Sequence, residues 1–153
     1  MTTTNELPKD AWDAVLAAGE EREYRRGAWI FVEGDPPGPA LAVIEGEVRV
    51  EATREGFAVE LGLFGVGSLF GELSAIDGRP RSASAIATET TRLAAVGIPE
   101  FNQLLTQHPT LAAALLRVMI RSSGISTPDF AIIPCRKMTR SLVTVKLVVV
   151  HFE

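Results

Sequence analysis

The chain has 153 residues, 46% of them hydrophobic, a formal net charge of −4 and a single cysteine, Cys135. That length suits one compact domain with a possible appendage and can bury a core without staples, and the apolar content excludes a disordered chain. One cysteine excludes an intrachain disulfide framework, which makes a cytoplasmic setting the expectation.

The first element reads as a helix from about Pro8 to Ala18. Pro8 suits a first helical turn, Leu7, Ala11, Val15 and Leu16 recur at helical spacing, and Gly19 is a natural stop. The period then changes to short β-type runs. Ala28–Val32 ends at Glu33-Gly34-Asp35-Pro36-Pro37-Gly38, and Leu41–Ile44 ends at Glu45-Gly46. Glu47–Glu51 alternates as a half-buried strand does, Arg54-Glu55-Gly56 turns into Phe57–Phe64, and Gly65-Val66-Gly67 closes that run. Two further strands are expected at Ser82–Ala87 and Arg92–Val96. Many short strands broken by Gly and Pro predict an antiparallel barrel or sandwich. Helical periodicity returns over Glu100–Thr106, stops at Gln107-His108-Pro109, and resumes over Thr110–Arg121 with Leu111, Leu115, Val118 and Met119 on one stripe. Trp12 and Trp29 read as packing residues, and His108 as a turn residue.

Residues 1–120 carry ten Lys/Arg against seventeen Asp/Glu, whereas residues 121–153 carry five against two. The acidic body argues against broad nucleic-acid binding. The basic tail, with Arg136, Lys137, Arg140 and Lys146, reads as solvated or as a contact for an acidic partner. Its closing run Leu142–Val150 looks like a strand so apolar that it needs a partner. The N-terminus shows no basic region followed by an apolar run, no apolar stretch reaches the ~18 residues of a membrane helix, and two scattered histidines, His108 and His151, with one cysteine predict no metal site. No nucleophile and base can be paired, so an enzyme is not expected.

The chemistry concentrates in residues 70–85, FGELSAIDGRPRSASA. Gly71 opens a short segment holding Glu72 and Leu73. Arg81 stands near the next strand beside the hydroxyl of Ser82. A guanidinium, a hydroxyl and approachable backbone N–H groups suit an anion, while a carboxylate suits sugar hydroxyls. One site wanting both fits a nucleotide. Taken alone, a Glu and an Arg at this spacing is also the pattern of an ordinary surface salt bridge.

Gly71-Glu72-Leu73, a short turn and then Arg81-Ser82-Ala83 resembles the phosphate-binding cassette of the cyclic-nucleotide-binding domain family, of the Crp/Fnr and protein kinase A regulatory-subunit type. Tyr24–Gly34, Asp35, Gly46 with Val48, and Gly67 resemble the spaced glycines of its β-roll, so the likeness covers about residues 10–120. It implies a mainly β fold with flanking helices, the cyclic-nucleotide-binding β-roll (a double-stranded β-helix or jelly roll), over residues 1–121, followed by a divergent tail at 122–153. It implies that Glu72 accepts from the ribose 2′-hydroxyl, that Arg81 pairs with the cyclic phosphate, and that Gly71, Leu73, Ser82 and Ala83 line the phosphate. Ser82 in place of threonine tilts the ligand toward cAMP over cGMP, and Arg79 faces solvent. In relatives the helix after the roll covers the base and often forms a dimer, which here puts a possible homodimer at residues 110–121. Ser126 and Thr127 fall where base-contacting hydroxyls would lie, but Gly124 and Pro128 should break a helix there. The tail is too short for a helix-turn-helix. The leading expectation is a ligand-sensing regulatory module whose C-terminal helices move. The alternatives are a truncated or degenerate DNA-binding regulator of the same superfamily, and an interaction domain without a ligand.

Overall fold

The computed structural model of the protein describes residues 7–122. The expected strand at 142–150, the hydroxyls of Ser126 and Thr127, the breaks at Gly124 and Pro128, and the tail as a separate segment all lie outside the described residues.

The chain runs α1 (Lys9–Ala18), β1 (Glu20–Tyr24), β2 (Trp29–Phe31), β3 (Ala40–Glu45), β4 (Val48–Arg54), β5 (Phe57–Phe64), β6 (Leu69–Phe70), α2 (Glu72–Asp77), β7 (Ser84–Ala87), β8 (Thr91–Val96), α3 (Ile98–Gln107) and α4 (Pro109–Ser122). The strands form two antiparallel sheets, in the orders β1-β8-β3-β6 and β2-β7-β4-β5. This is the expected β-roll with flanking helices. No helix among the described residues is long and apolar enough to cross a membrane.

The period of two in β3 and β8 sorts their side chains between two cores. Leu41, Val43, Leu93 and Ala95 point between the sheets, where they meet Val48, Phe70 and Ala85. Ala40, Ala42, Ala94 and Val96 point the other way, onto Ala11 and Val15 of α1, Phe101 and Leu104 of α3, and Leu111 and Leu115 of α4. β3 and β8 are therefore buried on both faces, which explains why they read as apolar runs. Each fully buried Leu, Val or Phe contributes about 1.5–3 kcal/mol. Leu111 and Leu115 are thus core residues of the chain itself, so that part of the α4 stripe is not a seam between copies.

Two strands escape a reading of the sequence. Glu20–Tyr24 reads EEREY, with no apolar alternation, and is held through its register with β8, Glu20 facing Ala95 and Tyr24 facing Thr91. Leu69–Phe70 is only two residues long. The strand expected from Ser82 starts instead at Ser84, because the Arg81 backbone bonds to the 34–35 turn: its N–H donates to the Asp35 carbonyl (2.9 Å) and its carbonyl accepts from the Gly34 N–H (2.8 Å). Trp29 also departs from expectation. A bulge separates it from Phe31, and it is 53% exposed on the outer face opposite Ile86, while Phe31 packs inward.

The β4–β5 connection is a two-residue turn in which Glu55 (φ 52°) and Gly56 (φ 83°) are both left-handed. Asn-Gly is the favoured pair for that turn, and a left-handed residue with a long side chain is strained. Glu55→Asn is expected to stabilise the fold by about 0.5–1 kcal/mol, read as a raised Tm in a thermal melt. An unchanged or lowered Tm would contradict this account of the turn.

Candidate functional site

The segment between β6 and β7 carries the site. Gly71 (φ 70°, ψ 11°) swings the chain from β6 directly into α2. A Cβ at Gly71 would lie 2.8 Å from Arg81 Nη1 and 3.2 Å from the Phe31 ring, so both its backbone conformation and its neighbours require glycine.

Arg81 is the centre of the arrangement and is only 6% exposed. Its Nη1 donates to the Gly71 carbonyl (2.8 Å) and to Ser74 Oγ (2.9 Å), and its Nη2 donates to the Pro39 carbonyl (2.9 Å). Its Cζ stands 4.0 Å from the centroid of the Phe31 ring, a cation–π contact in a partly desolvated place. Phe31 is itself fixed by Phe70, at 6.0 Å between ring centroids. Gly38 closes the other side, where a Cβ would come 2.6 Å from Nη2. Three of the five guanidinium N–H donors are therefore held by neutral groups, and two have no hydrogen-bond partner among the described residues.

Glu72, at the first position of α2, is half-buried. Burial raises its carboxyl above the ordinary glutamate range, and its own backbone N–H and the Arg81 charge pull the other way. Arg81 is lowered, again first by burial, with Asp35 and Glu72 opposing. Each feels the other's charge, yet among the described residues no ion pair joins them. A partly desolvated anion and a cation are thus held near each other without direct contact. The cation is aimed by carbonyls, which orient it without neutralising it, so it can take an anion; the carboxylate can take hydroxyl donors.

The remaining residues expected at the site differ in exposure. Leu73 is half-buried in α2, Ala83 is buried (7% exposed) just before β7, and Ser82 is exposed. The Ser82 hydroxyl makes no hydrogen bond to another described residue. Arg79 is exposed, and its N–H donates to Asp77 Oδ1 (2.8 Å). The structure brings Gly71, Glu72 and Arg81 together. It adds Phe31, Gly38, Pro39 and Ser74, which no sequence motif singles out. The Pro36-Pro37-Gly38-Pro39 run has the composition of a turn and nothing more, yet the fold sets the Pro39 carbonyl against Arg81. No group of His, Cys, Asp and Glu able to hold a metal ion occurs among the described residues.

α2 is also tied to the helices after the roll. Ala75 belongs to the core beneath α3, and Asn102 Nδ2 donates to the Ala75 carbonyl (3.3 Å). Thr110 Oγ1, at the start of α4, donates to Asp10 Oδ2 of α1 (2.9 Å).

Comparison with known proteins points the same way. The family model of the cyclic nucleotide-binding domain matches residues 21–108. The chain is 37% identical over 123 residues to the cyclic AMP receptor protein of Thermus thermophilus, covering 78% of this chain and 57% of that protein. It is 34% identical over 91 residues to the cAMP-dependent protein kinase regulatory subunit of Mycosarcoma maydis, covering 56% of this chain and 17% of that one. Among solved structures, the Thermus thermophilus catabolite activator protein superposes with a TM-score of 0.68 at 35% identity, covering 75% of this chain and 55% of that one. The N-terminal domain of a transcriptional regulator from Streptomyces coelicolor gives 0.58 at 34% identity, covering 75% and 83%. The chain spans a little over half the length of the Thermus protein that it matches.

Proposed function

The chain belongs to the cyclic nucleotide-binding domain family, and on that premise we propose that it is a regulatory module that binds cAMP in preference to cGMP through Gly71, Glu72, Leu73, Arg81, Ser82 and Ala83. The observation that carries this reading is the unpaired Glu72 and Arg81: two charged groups kept close, partly desolvated and apart, with two guanidinium N–H donors left over. A cyclic phosphate fits the remaining donors of Arg81, and a ribose hydroxyl fits the Glu72 carboxylate. Ser82, exposed at the mouth of the same turn, offers its hydroxyl to the ligand.

Occupancy would pull on α2, and α2 bears on α3 through Ala75 and Asn102. α3 packs in the same core as α4. A ligand that binds one arrangement of these helices more tightly shifts the population toward it. In this reading the output is a movement of α3 and α4, delivered to a partner protein or to a second copy. Such a second copy would pair across residues 110–121, on the side of α4 turned away from Leu111 and Leu115.

The test is calorimetric titration of the full chain with cAMP and with cGMP. Saturable binding of both, tighter for cAMP, is the expected result. Tighter binding of cGMP would overturn the base preference, and heat from neither nucleotide with a folded protein would overturn the sensor reading. A DNA-binding regulator is the second reading, favoured by relatives named as transcriptional regulators that extend well past the matched region. Salt-dependent operator binding by this chain would support it.

A further inference from the structure

Ser74 lies within α2 and is buried (4% exposed). A helix interior has no need of a serine: its hydroxyl competes for backbone groups, and a buried hydroxyl costs free energy unless it is hydrogen-bonded. Here the Oγ accepts from Arg81 Nη1 at 2.9 Å, and among the described residues Ser74 is the one side chain that hydrogen-bonds that guanidinium. The other two acceptors, on Gly71 and Pro39, are backbone carbonyls. The Phe31 ring centroid stands 4.0 Å from Cζ, but attraction to a ring face does little to choose which edge of a guanidinium points where. That choice falls to the hydrogen bonds.

Nη1 has two N–H groups and bonds to two acceptors, the Gly71 carbonyl and Ser74 Oγ. Nη2 also has two and gives one to the Pro39 carbonyl, while Nε, with one, has no acceptor among the described residues. The donors left over are therefore on Nε and Nη2, adjacent nitrogens of one rigid plane, and a planar fork is the arrangement that receives phosphate oxygens. Without the Ser74 hydroxyl an N–H of Nη1 is free as well, and a second fork, Nη1 with Nη2, competes for the same ligand. We propose that Ser74 is a positioning residue of the site: it occupies Nη1, leaves the phosphate to Nε and Nη2, and so fixes the edge of Arg81 along which the phosphate approaches. The two exocyclic phosphate oxygens then meet unequal donors. This role rests on the cyclic-nucleotide function proposed for the same site.

The test is calorimetric titration of the full chain with cAMP and with its two phosphorothioate diastereomers, each carrying sulfur, a weak hydrogen-bond acceptor, in place of one exocyclic oxygen. The native protein should bind the two diastereomers with affinities about tenfold apart, the scale of one charge-assisted hydrogen bond. Ser74→Ala should bring them to within about two- to threefold of each other. Ser74→Cys separates positioning from packing: a thiol fills the space of the hydroxyl but accepts weakly, so it should behave as the alanine does. Thermal melts establish that each variant is folded. A ratio left at its native value in Ser74→Ala, even with a lower affinity or Tm, would overturn the proposal. So would a native ratio in Ser74→Cys after its loss in Ser74→Ala, since filling the space would then be what matters. A native protein that binds cAMP without distinguishing the diastereomers would overturn it too. A native protein that binds no nucleotide at all overturns the cyclic-nucleotide function itself, and this role with it.

Discussion

Arg81→Ala is expected to weaken cyclic-nucleotide binding by about 100-fold or more. Truncating one side of a buried, hydrogen-bonded charge pair costs roughly 2–5 kcal/mol, most of it through the charge left without a partner. Here the stranded charge would be the phosphate of the ligand. Arg81→Lys is not expected to rescue. A lysine ammonium is a point donor, and it cannot reach the Gly71 carbonyl, Ser74 Oγ and the Pro39 carbonyl together while keeping two N–H groups turned toward a ligand. Calorimetric titration, with a thermal melt to show that each variant is folded, checks this. Native affinity in either variant would remove Arg81 from the site.

Glu72→Gln is expected to act in opposite directions on binding and on the stability of the ligand-free protein. The carboxylate is a charged acceptor for a sugar hydroxyl, worth roughly 1.5–3 kcal/mol, so affinity should fall about 10- to 100-fold. Without ligand the same carboxylate is a liability, since burial outweighs the help it draws from its own N–H and from Arg81. The folded state therefore holds the Glu72 proton more tightly than the unfolded chain does. Its contribution to stability is fully present below the ordinary glutamate titration and is lost as pH rises through the raised folded-state value. At neutral pH the glutamine variant, which has no charge to bury, should melt higher than the native protein, and the gap should close as the pH is lowered through that window. Melts at a series of pH values with and without nucleotide would measure both arms. A glutamine variant less stable than native at neutral pH would show that Glu72 has stabilising partners in the ligand-free state.

Much of this is legible in the order of residues. Alternation in β4 and the helical spacing of Ala11 and Val15 reveal the nature of those elements, because each has a buried side and an exposed one. β1 is illegible for the opposite reason: the sequence EEREY buries almost nothing, and its strand character comes from main-chain pairing with β8, a partner distant in the chain. Trp29 misleads because size and apolarity suggest burial, while the bulge beside it turns the indole outward. In the site, Glu72 and Arg81 are visible through a motif. Ser74 lies inside that motif, yet nothing in its spacing marks it as a partner of Arg81. Phe31, Gly38 and Pro39 contribute a ring face, a missing Cβ and a carbonyl, and such features become functional only when a fold sets them against a guanidinium.

The pairing of β1 with β8 has a consequence for how the molecule is made. Within the sheet, β1 has β8 as its single neighbour, and β3 lies between β8 and β6. A chain emerging from the ribosome therefore carries β1 without a neighbour until residue 96 is available, and Arg81 meets Pro39 across 42 positions of sequence. Closing loops of that length costs entropy before the contacts repay it, and folding slows as such non-local contacts come to dominate. The roll is therefore expected to close only after β8 has been made, and to fold slowly.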